Sequence, residues 1–447
     1  MMFYFFYAFI AGLAIIAVAA VIFKPTLFWP LLAVAAVGTG GIVVASMGLI
    51  DEIFIAATVV GFFLAVMLRN QSLSVTHRNI WSQWHIIFFL AMIFYMVFES
   101  LRGVSDLGSI RKIRWVLYFL MLGVIGFLAY KKIPPALSRR RLSTLIASTG
   151  LVYFAIYVSV GVFFETVLGR VKWDIQNFVW GGTTYAAFPI IAVMPAIFFL
   201  FKDKNRLLRI LAWSTFIMVS IAAFYYDSRI SFLAIIGFLV MLILLMGFRK
   251  FIRPAIIFII IAAIFIGIFG SFSHSFKIYG KVIYEASEFA WNPAHARDID
   301  RLAHLTIGPR LIKDDIRTFF FGYGFRTSGH MIGPALAQVY EERGMHKAAL
   351  AISNYGSTVG FTALLVETGI IGMGLLIINF IFTAREIIFL RHSGMKLVLL
   401  YCLALGFAWM LITNPIDIAL LYLIIMPSGF FYQLAAPDKL AKTIKLS

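Results

Sequence analysis

The chain has 447 residues, of which 62% are hydrophobic and 13% charged, and its formal net charge is +18. A soluble globular domain carries about 45–50% apolar and about 25% charged residues, so that class is excluded, and a disordered chain cannot keep this much apolar surface solvated. Nucleic acid is an equally poor explanation of the positive charge, because in so apolar a chain Lys and Arg gather in cytoplasmic loops beside anionic lipid. With Cys402 as its one cysteine the chain cannot form an internal disulfide.

A bilayer core needs about 20 apolar residues per helix, and such runs recur along the whole chain. They predict spans over 2–23, 26–48, 53–68, 80–98, 113–130, 142–164, 185–201, 207–226, 230–247, 254–271, 357–383, 396–413 and 418–435. The expected fold is an all-α polytopic membrane protein of about 12–14 transmembrane helices with one large, partly helical external loop. The first run lacks a basic start and a small-residue cleavage site and reads as a retained helix. The organisation is then helices 1–10 over residues 1–271, the large loop over 272–356, and helices 11–13 with a tail over 357–447.

Every second connection is rich in basic residues: Lys24; Arg69 and Arg78; Lys131, Lys132, Arg139, Arg140 and Arg141; Lys202, Lys204, Arg206 and Arg209. Arg249, Lys250 and Arg253, then Arg385, Arg391 and Lys396, then Lys439, Lys442 and Lys445 continue the series. Short basic loops stay in the cytoplasm, which places the tail inside and the N-terminus outside. The outer side then holds the turn Asp51-Glu52, the segment with Arg102, Arg111 and Lys112, the loop Glu165 to Thr184, the turn Asp227-Ser228-Arg229 and the long loop. A polar segment of that length among short connections points to function.

Several residues in these outer parts could carry chemistry. Arg229 opens a helix at the outer mouth, either as an interfacial Arg paired with Asp227 or as an anion ligand able to hold two phosphate oxygens. In the long loop, Pro309 suggests a helix start that puts Arg310, Lys313 or Asp314, and Arg317 on one stripe. That stripe suits a solvated face or a binding surface. The stretch Phe321-Gly322-Tyr323-Gly324-Phe325-Arg326-Thr327-Ser328-Gly329-His330 follows, with glycines that permit tight turns and close approach to a ligand. His330, beside Arg326, is a candidate proton acceptor or a loop-bonded surface histidine. The histidines, five of which lie in the long loop, show no metal-ligand spacing, so no metal is expected. Glu367 should lie about 15 Å down the next helix, which requires an Arg or hydroxyl partner and leaves a structural or a catalytic role open. Gly369, Gly372 and Gly374 read as close helix packing, and Asp417 as a turn carboxylate.

Three features occur in order: Ser228-Arg229 opening a helix; Gly308-Pro309-Arg310 followed by Gly322-Tyr323-Gly324; and Glu367-Thr368-Gly369-Ile370-Ile371-Gly372 after the large loop. In this the chain resembles the O-antigen ligase/polymerase family of bacterial membrane glycosyltransferases, by motif over residues 180–380 and elsewhere by hydropathy. The resemblance implies an inner-membrane enzyme acting at the periplasmic face, without metal or other cofactor. Its donor would be an undecaprenyl-diphosphate-linked glycan and its acceptor a second glycan, with a chain-length regulator as a further partner. It implies that Arg229 and Arg310 bind the donor diphosphate, helped by Arg326; read from the residues themselves, Arg317 is a further substrate-binding candidate and His330 and Glu367 are the catalytic candidates. Where many members carry His-Asn before the Glu-x-Gly motif, this chain has Ser357-Thr358-Val359-Gly360. Polymerisation of lipid-linked repeats is the leading expectation. A ligase acting on lipid A core and a flippase for lipid-linked oligosaccharide are the alternatives, and the scarcity of intramembrane charges weighs against the last.

Overall fold

The computed structural model describes residues 2–38, 43–44, 48–69, 84–102, 109–130, 137–167, 183–225, 229–247, 307–313, 315–325, 327–342, 360–389 and 393–412, with single positions 256 and 260. The expected spans over 418–435 and over most of 254–271 lie outside these residues, as do Arg326, Asp417, His274, His295, His304 and His346. The protein is a helical membrane protein. The helices are α1 Met2–Phe23, α2 Phe28–Gly38, α3 Ile50–Arg69, α4 Trp84–Arg102, α5 Ser109–Tyr130, α6 Arg139–Val167, α7 Thr183–Phe201, α8 Arg206–Tyr225 and α9 Arg229–Met246. A short α10 (Ile316–Phe321) and α11 (Ser328–Glu342) precede α12 (Gly360–Ile388) and α13 (Ser393–Ile412).

Among the described residues, helical stretches over Arg139–Ser159, Arg206–Ala223 and Gly360–Arg385 are long and apolar enough to cross a bilayer, and shorter apolar helices accompany them. Large side chains such as Met67, Phe94, Val152, Leu244 and Ile381 point out of the bundle. In water so much exposed apolar surface would drive aggregation; in lipid it is the expected exterior. The expected span over 26–48 is corrected. Its helix stops at Gly38, just before Thr39-Gly40-Gly41, and the chain then forms a two-residue antiparallel ladder, Val43–Val44 with Gly48–Leu49. Clustered glycines lose more backbone entropy in a helix than other residues do, which ends the run.

The interior follows from pairwise packing. α1 lies on α3, α4 on α5, and α6 on α7 and α8, while α12 bridges α4 and α13. Trp29, Phe154, Tyr157, Phe216 and Phe238 are among the large side chains fully enclosed. Basic connections meet at one end of this bundle. Arg140 at the start of α6 pairs with Asp203 of the α7–α8 turn at 3.2 Å, and Lys202 lies 4.3 Å above the Phe198 ring. The Lys202 Nζ also sits 3.1 Å from where a Gly394 Cβ would be, so the start of α13 joins the same end. A short connection links α12 to α13, so this is the end at which α12 finishes.

At the other end, α12 is broken at Gly369, whose backbone (φ 62°, ψ −166°) is not helical. Opposite it, Gly322 closes α10 with nearly the same angles (φ 65°, ψ −165°). This conformational region is essentially reserved for glycine. The two residues stand back to back: a Cβ on Gly322 would lie 2.6 Å from the Glu367 carbonyl oxygen, and one on Gly369 would strike the Phe320 carbonyl and approach the Gly322 nitrogen to 2.7 Å. Gly369 is therefore a backbone break and not the helix-packing glycine its spacing suggests, and a Cβ on Gly374 would meet nothing within 4 Å. Substituting Gly322→Ala or Gly369→Ala should lower stability by about 1–3 kcal/mol from backbone conformation alone, with steric displacement adding to it. Thermal unfolding of the detergent-solubilised protein measures this, and Gly374→Ala should leave the transition unchanged or slightly raised.

Candidate functional site

The break in α12 exposes carbonyl groups inside an apolar bundle, where each unsatisfied one is costly. Three successive carbonyls find donors from elsewhere in the chain. Val366 O accepts from Tyr323 N–H at 2.8 Å, Glu367 O from Gly324 N–H at 2.9 Å, and Thr368 O from the Tyr95 hydroxyl at 2.6 Å. The segment 321–325 thus enters the bundle as irregular backbone beside the interrupted helix. Non-helical backbone is tolerated at such depth only where protein surrounds it. Phe325 supplies part of that surrounding, with its ring edge-on to Trp115 at 5.4 Å and to Phe119 at 5.2 Å, both on α5.

α4 clamps the same segment from the other side. Its last turn leaves carbonyls without helical donors, and that of Glu99 accepts from Phe325 N–H at 3.1 Å. Arg102 donates through one amino group to the Phe321 and Gly322 carbonyls, both at 2.6 Å, and pairs with the Glu99 carboxylate at 2.9 Å. The Glu99 side chain is fully buried and Arg102 is 17% exposed. The guanidinium carbon also lies 6.0 Å and 5.8 Å from the Phe98 and Phe321 ring centroids. Arg317 comes within electrostatic range of Glu99, so three charged groups from α4 and α10 share this corner.

Glu367 sits seven residues, about 10 Å, after Gly360, where the described part of α12 starts; the expected start at 357 lies outside the described residues. Its carboxylate is buried and accepts the Ser328 hydroxyl at 2.5 Å and the Ser328 N–H at 3.3 Å. Ser328 is the first residue of α11, so a carboxylate from α12 holds the helix start, where amide donors lack internal partners. His330 lies in that first turn, with an exposed ring and a backbone N–H bonded to Thr327 O at 3.0 Å.

Arg310, Lys313 and Arg317 are all exposed, but the single stripe expected for them is corrected. The helical stretch 307–312 ends, and Asp315, in extended conformation, caps a new helix by accepting from the Arg317 and Thr318 amides at 3.3 and 3.1 Å. An Asp is a strong N-cap, and here it divides the segment in two. Those amide bonds, with a smaller contribution from the Arg317 charge, hold the Asp315 carboxyl below its ordinary range. Tyr323 ties the two pieces together by donating its hydroxyl to Leu311 O at 2.9 Å. Of the predicted site residues, the structure therefore gathers Glu367, His330 and Arg317 around the glycine turn and puts Arg310 on the neighbouring helical stretch. The backbone of Arg229 opens α9; its side chain and Arg326 lie outside what is described.

Arg102, Glu99 and Tyr95 are the residues that sequence reasoning missed as parts of this site. The available signal was a Glu and an Arg three apart at the end of an apolar helix, an arrangement that costs free energy in a membrane unless both are engaged. Among the described residues, no group of three or more His, Cys, Asp or Glu is placed to hold a metal ion. No protein-family model, no curated protein and no solved structure matches the chain.

Two outcomes follow from this geometry. Arg102→Ala strands the buried Glu99 carboxylate and should cost about 3–5 kcal/mol, with part recovered in the Glu99→Gln/Arg102→Gln double variant; chemical or thermal unfolding in detergent reads both. For Asp315, a depressed carboxyl pKa means that its capping stabilises above the unfolded value and is lost as pH falls through the folded one. The gap in unfolding temperature between wild type and Asp315→Ala should be present at neutral pH and close below about pH 4.

Proposed function

We propose that the protein is a glycosyltransferase that polymerises lipid-linked repeat units, moving an undecaprenyl-diphosphate-linked glycan onto a second lipid-linked glycan at the outer face of a bacterial inner membrane. The observation that carries the reading is the glycine turn hydrogen-bonded to the break in α12, with exposed Arg317 on α10 before it, exposed His330 in the first turn of α11 after it, and Arg310 on the adjoining helical stretch. A leaving diphosphate needs preorganised positive charge, and cations fixed on short helices around a locked turn supply it without reorganisation at the moment of transfer. Outward placement of this corner is part of the proposal, and its separation from the end bearing the basic connections supports it.

In the proposed reaction the acceptor hydroxyl oxygen bonds to the anomeric carbon while the bond from that carbon to the diphosphate oxygen breaks. The hydroxyl proton passes to a base, for which exposed His330 is the candidate, and the diphosphate departs with both electrons of the broken bond onto the arginines. Glu367 acts as a positioning residue: its carboxylate is engaged by Ser328 and fixes the helix start that carries His330.

Purified protein given lipid-linked repeat units alone should produce longer chains. Arg310→Ala and Arg317→Ala should each lower kcat/KM by about a hundredfold with unfolding temperature unchanged. Turnover that appears only after a lipid A core acceptor is added would move the assignment to a ligase. Wild-type polymer from the Arg310→Ala/Arg317→Ala double variant would remove the basis for the donor site.

A further inference from the structure

At the end of the bundle that bears the basic connections, the first turns of α6 and the start of α8 line a wide-open cavity of about 600 Å³. Its lining changes character along α6. Arg140 and Arg141 lie at the helix start, Thr144 and Leu145 one turn on, and Ser148 about one turn further, so the cavity follows the helix for about 10 Å. Leu137 and Leu208 complete the apolar wall. Beside Leu208, Leu207 and Ile210 face outward from α8 and continue the apolar surface to the exterior of the bundle.

The charge at the mouth is strongly one-sided. Lys204, Arg206 and Arg209 are exposed on the α7–α8 turn and the start of α8, and the Arg140–Asp203 pair ties that turn to α6. Asp203 engages Arg140 through Nε, and the Arg140 side chain remains 52% exposed. Among the described residues, Asp203 is the carboxylate of this turn, and Arg140, Arg141, Lys202, Lys204, Arg206 and Arg209 outnumber it. A ligand matched to this arrangement carries negative charge at one end and hydrocarbon at the other. A free anion would leave Leu137, Leu145 and Leu208 uncovered, and a neutral lipid would leave the guanidinium groups uncompensated.

We propose that this cavity binds the phosphodiester headgroup of an anionic phospholipid at Arg140 and Arg141, with an acyl chain lying along Leu145 and Leu208. Phospholipid of the leaflet opposite the glycine turn thereby pins the start of α6 to the start of α8. The inference rests on the bundle residing in a bilayer and is independent of the transferase reading.

The test uses the purified full-length protein in detergent, titrated with phosphatidylglycerol or phosphatidylcholine and followed by native mass spectrometry, with inorganic phosphate as competitor. Phosphatidylglycerol should be retained over phosphatidylcholine. Arg140→Gln/Arg141→Gln should weaken its retention about tenfold to thirtyfold, as expected for two basic side chains at an anionic headgroup. Ser148→Phe keeps both charges, fills the end of the cavity away from the arginines and should weaken retention comparably, which separates loss of the site from misfolding of the arginine variant. Equal retention of the two lipids, undiminished phosphatidylglycerol binding in either variant, or full displacement by millimolar phosphate would each overturn the proposal.

Discussion

A helix interrupted inside an apolar bundle leaves carbonyl groups with nowhere to turn but the protein itself, and the architecture around α12 is the answer to that constraint. The break at Gly369 could not stand in lipid. It is made tolerable by donors from two distant parts of the chain, Tyr95 on α4 and the amides of Tyr323 and Gly324. The donor segment is in turn irregular and has its own carbonyls to satisfy, which Arg102 does at Phe321 and Gly322. Arg102 is then a charge at the end of an apolar helix, and Glu99 balances it. Each element of the corner is required by the one before it, and together they fix a turn that neither α4 nor α12 could hold alone.

Much of the helical framework is legible in the sequence because length and apolarity are local properties. The runs expected over 2–23, 53–68 and 207–226 coincide with α1, α3 and α8 to within a few residues at each end. Hydropathy fails where a helix ends for conformational reasons. The run over 26–48 stays apolar throughout, yet its glycines stop α2 at Gly38. The same blindness affects Gly369. A glycine among Ile and Leu looks like a packing residue, and only its partner, Gly322, shows that the backbone takes a conformation closed to other residues.

The candidate site divides along similar lines. Glu367 announces itself, because a carboxylate that far inside an apolar run must have a partner. That the partner is Ser328 depends on how the segment after α10 folds back, which no local pattern records. The expected stripe of Arg310, Lys313 and Arg317 was drawn by assuming one continuous helix after Pro309. Asp315 carries the opposite signal, since it competes well as a cap and poorly as an interior helical residue. Arg102 is the clearest omission. Its importance comes from two carbonyl groups more than two hundred positions away, and its only local trace is Glu99 one turn earlier.

The two ends of the bundle treat positive charge in opposite ways, and the difference bears on where chemistry can occur. At the end joining α6, α7 and α13, cations are numerous and mostly exposed, with Asp203 as their described counter-charge. That distribution suits a headgroup layer, where affinity comes from many weak, interchangeable contacts. At the glycine turn, Arg102 is largely enclosed and spends its donors on backbone carbonyls and Glu99. Enclosed charge of this kind fixes geometry, whereas Arg310 and Arg317, to which the proposed donor site is assigned, stay exposed. A transition state benefits from donors whose positions are settled before the substrate arrives. The glycine corner meets that condition for the residues it anchors, because moving its turn would break the carbonyl bonds to α12 and the Arg102 clamp together.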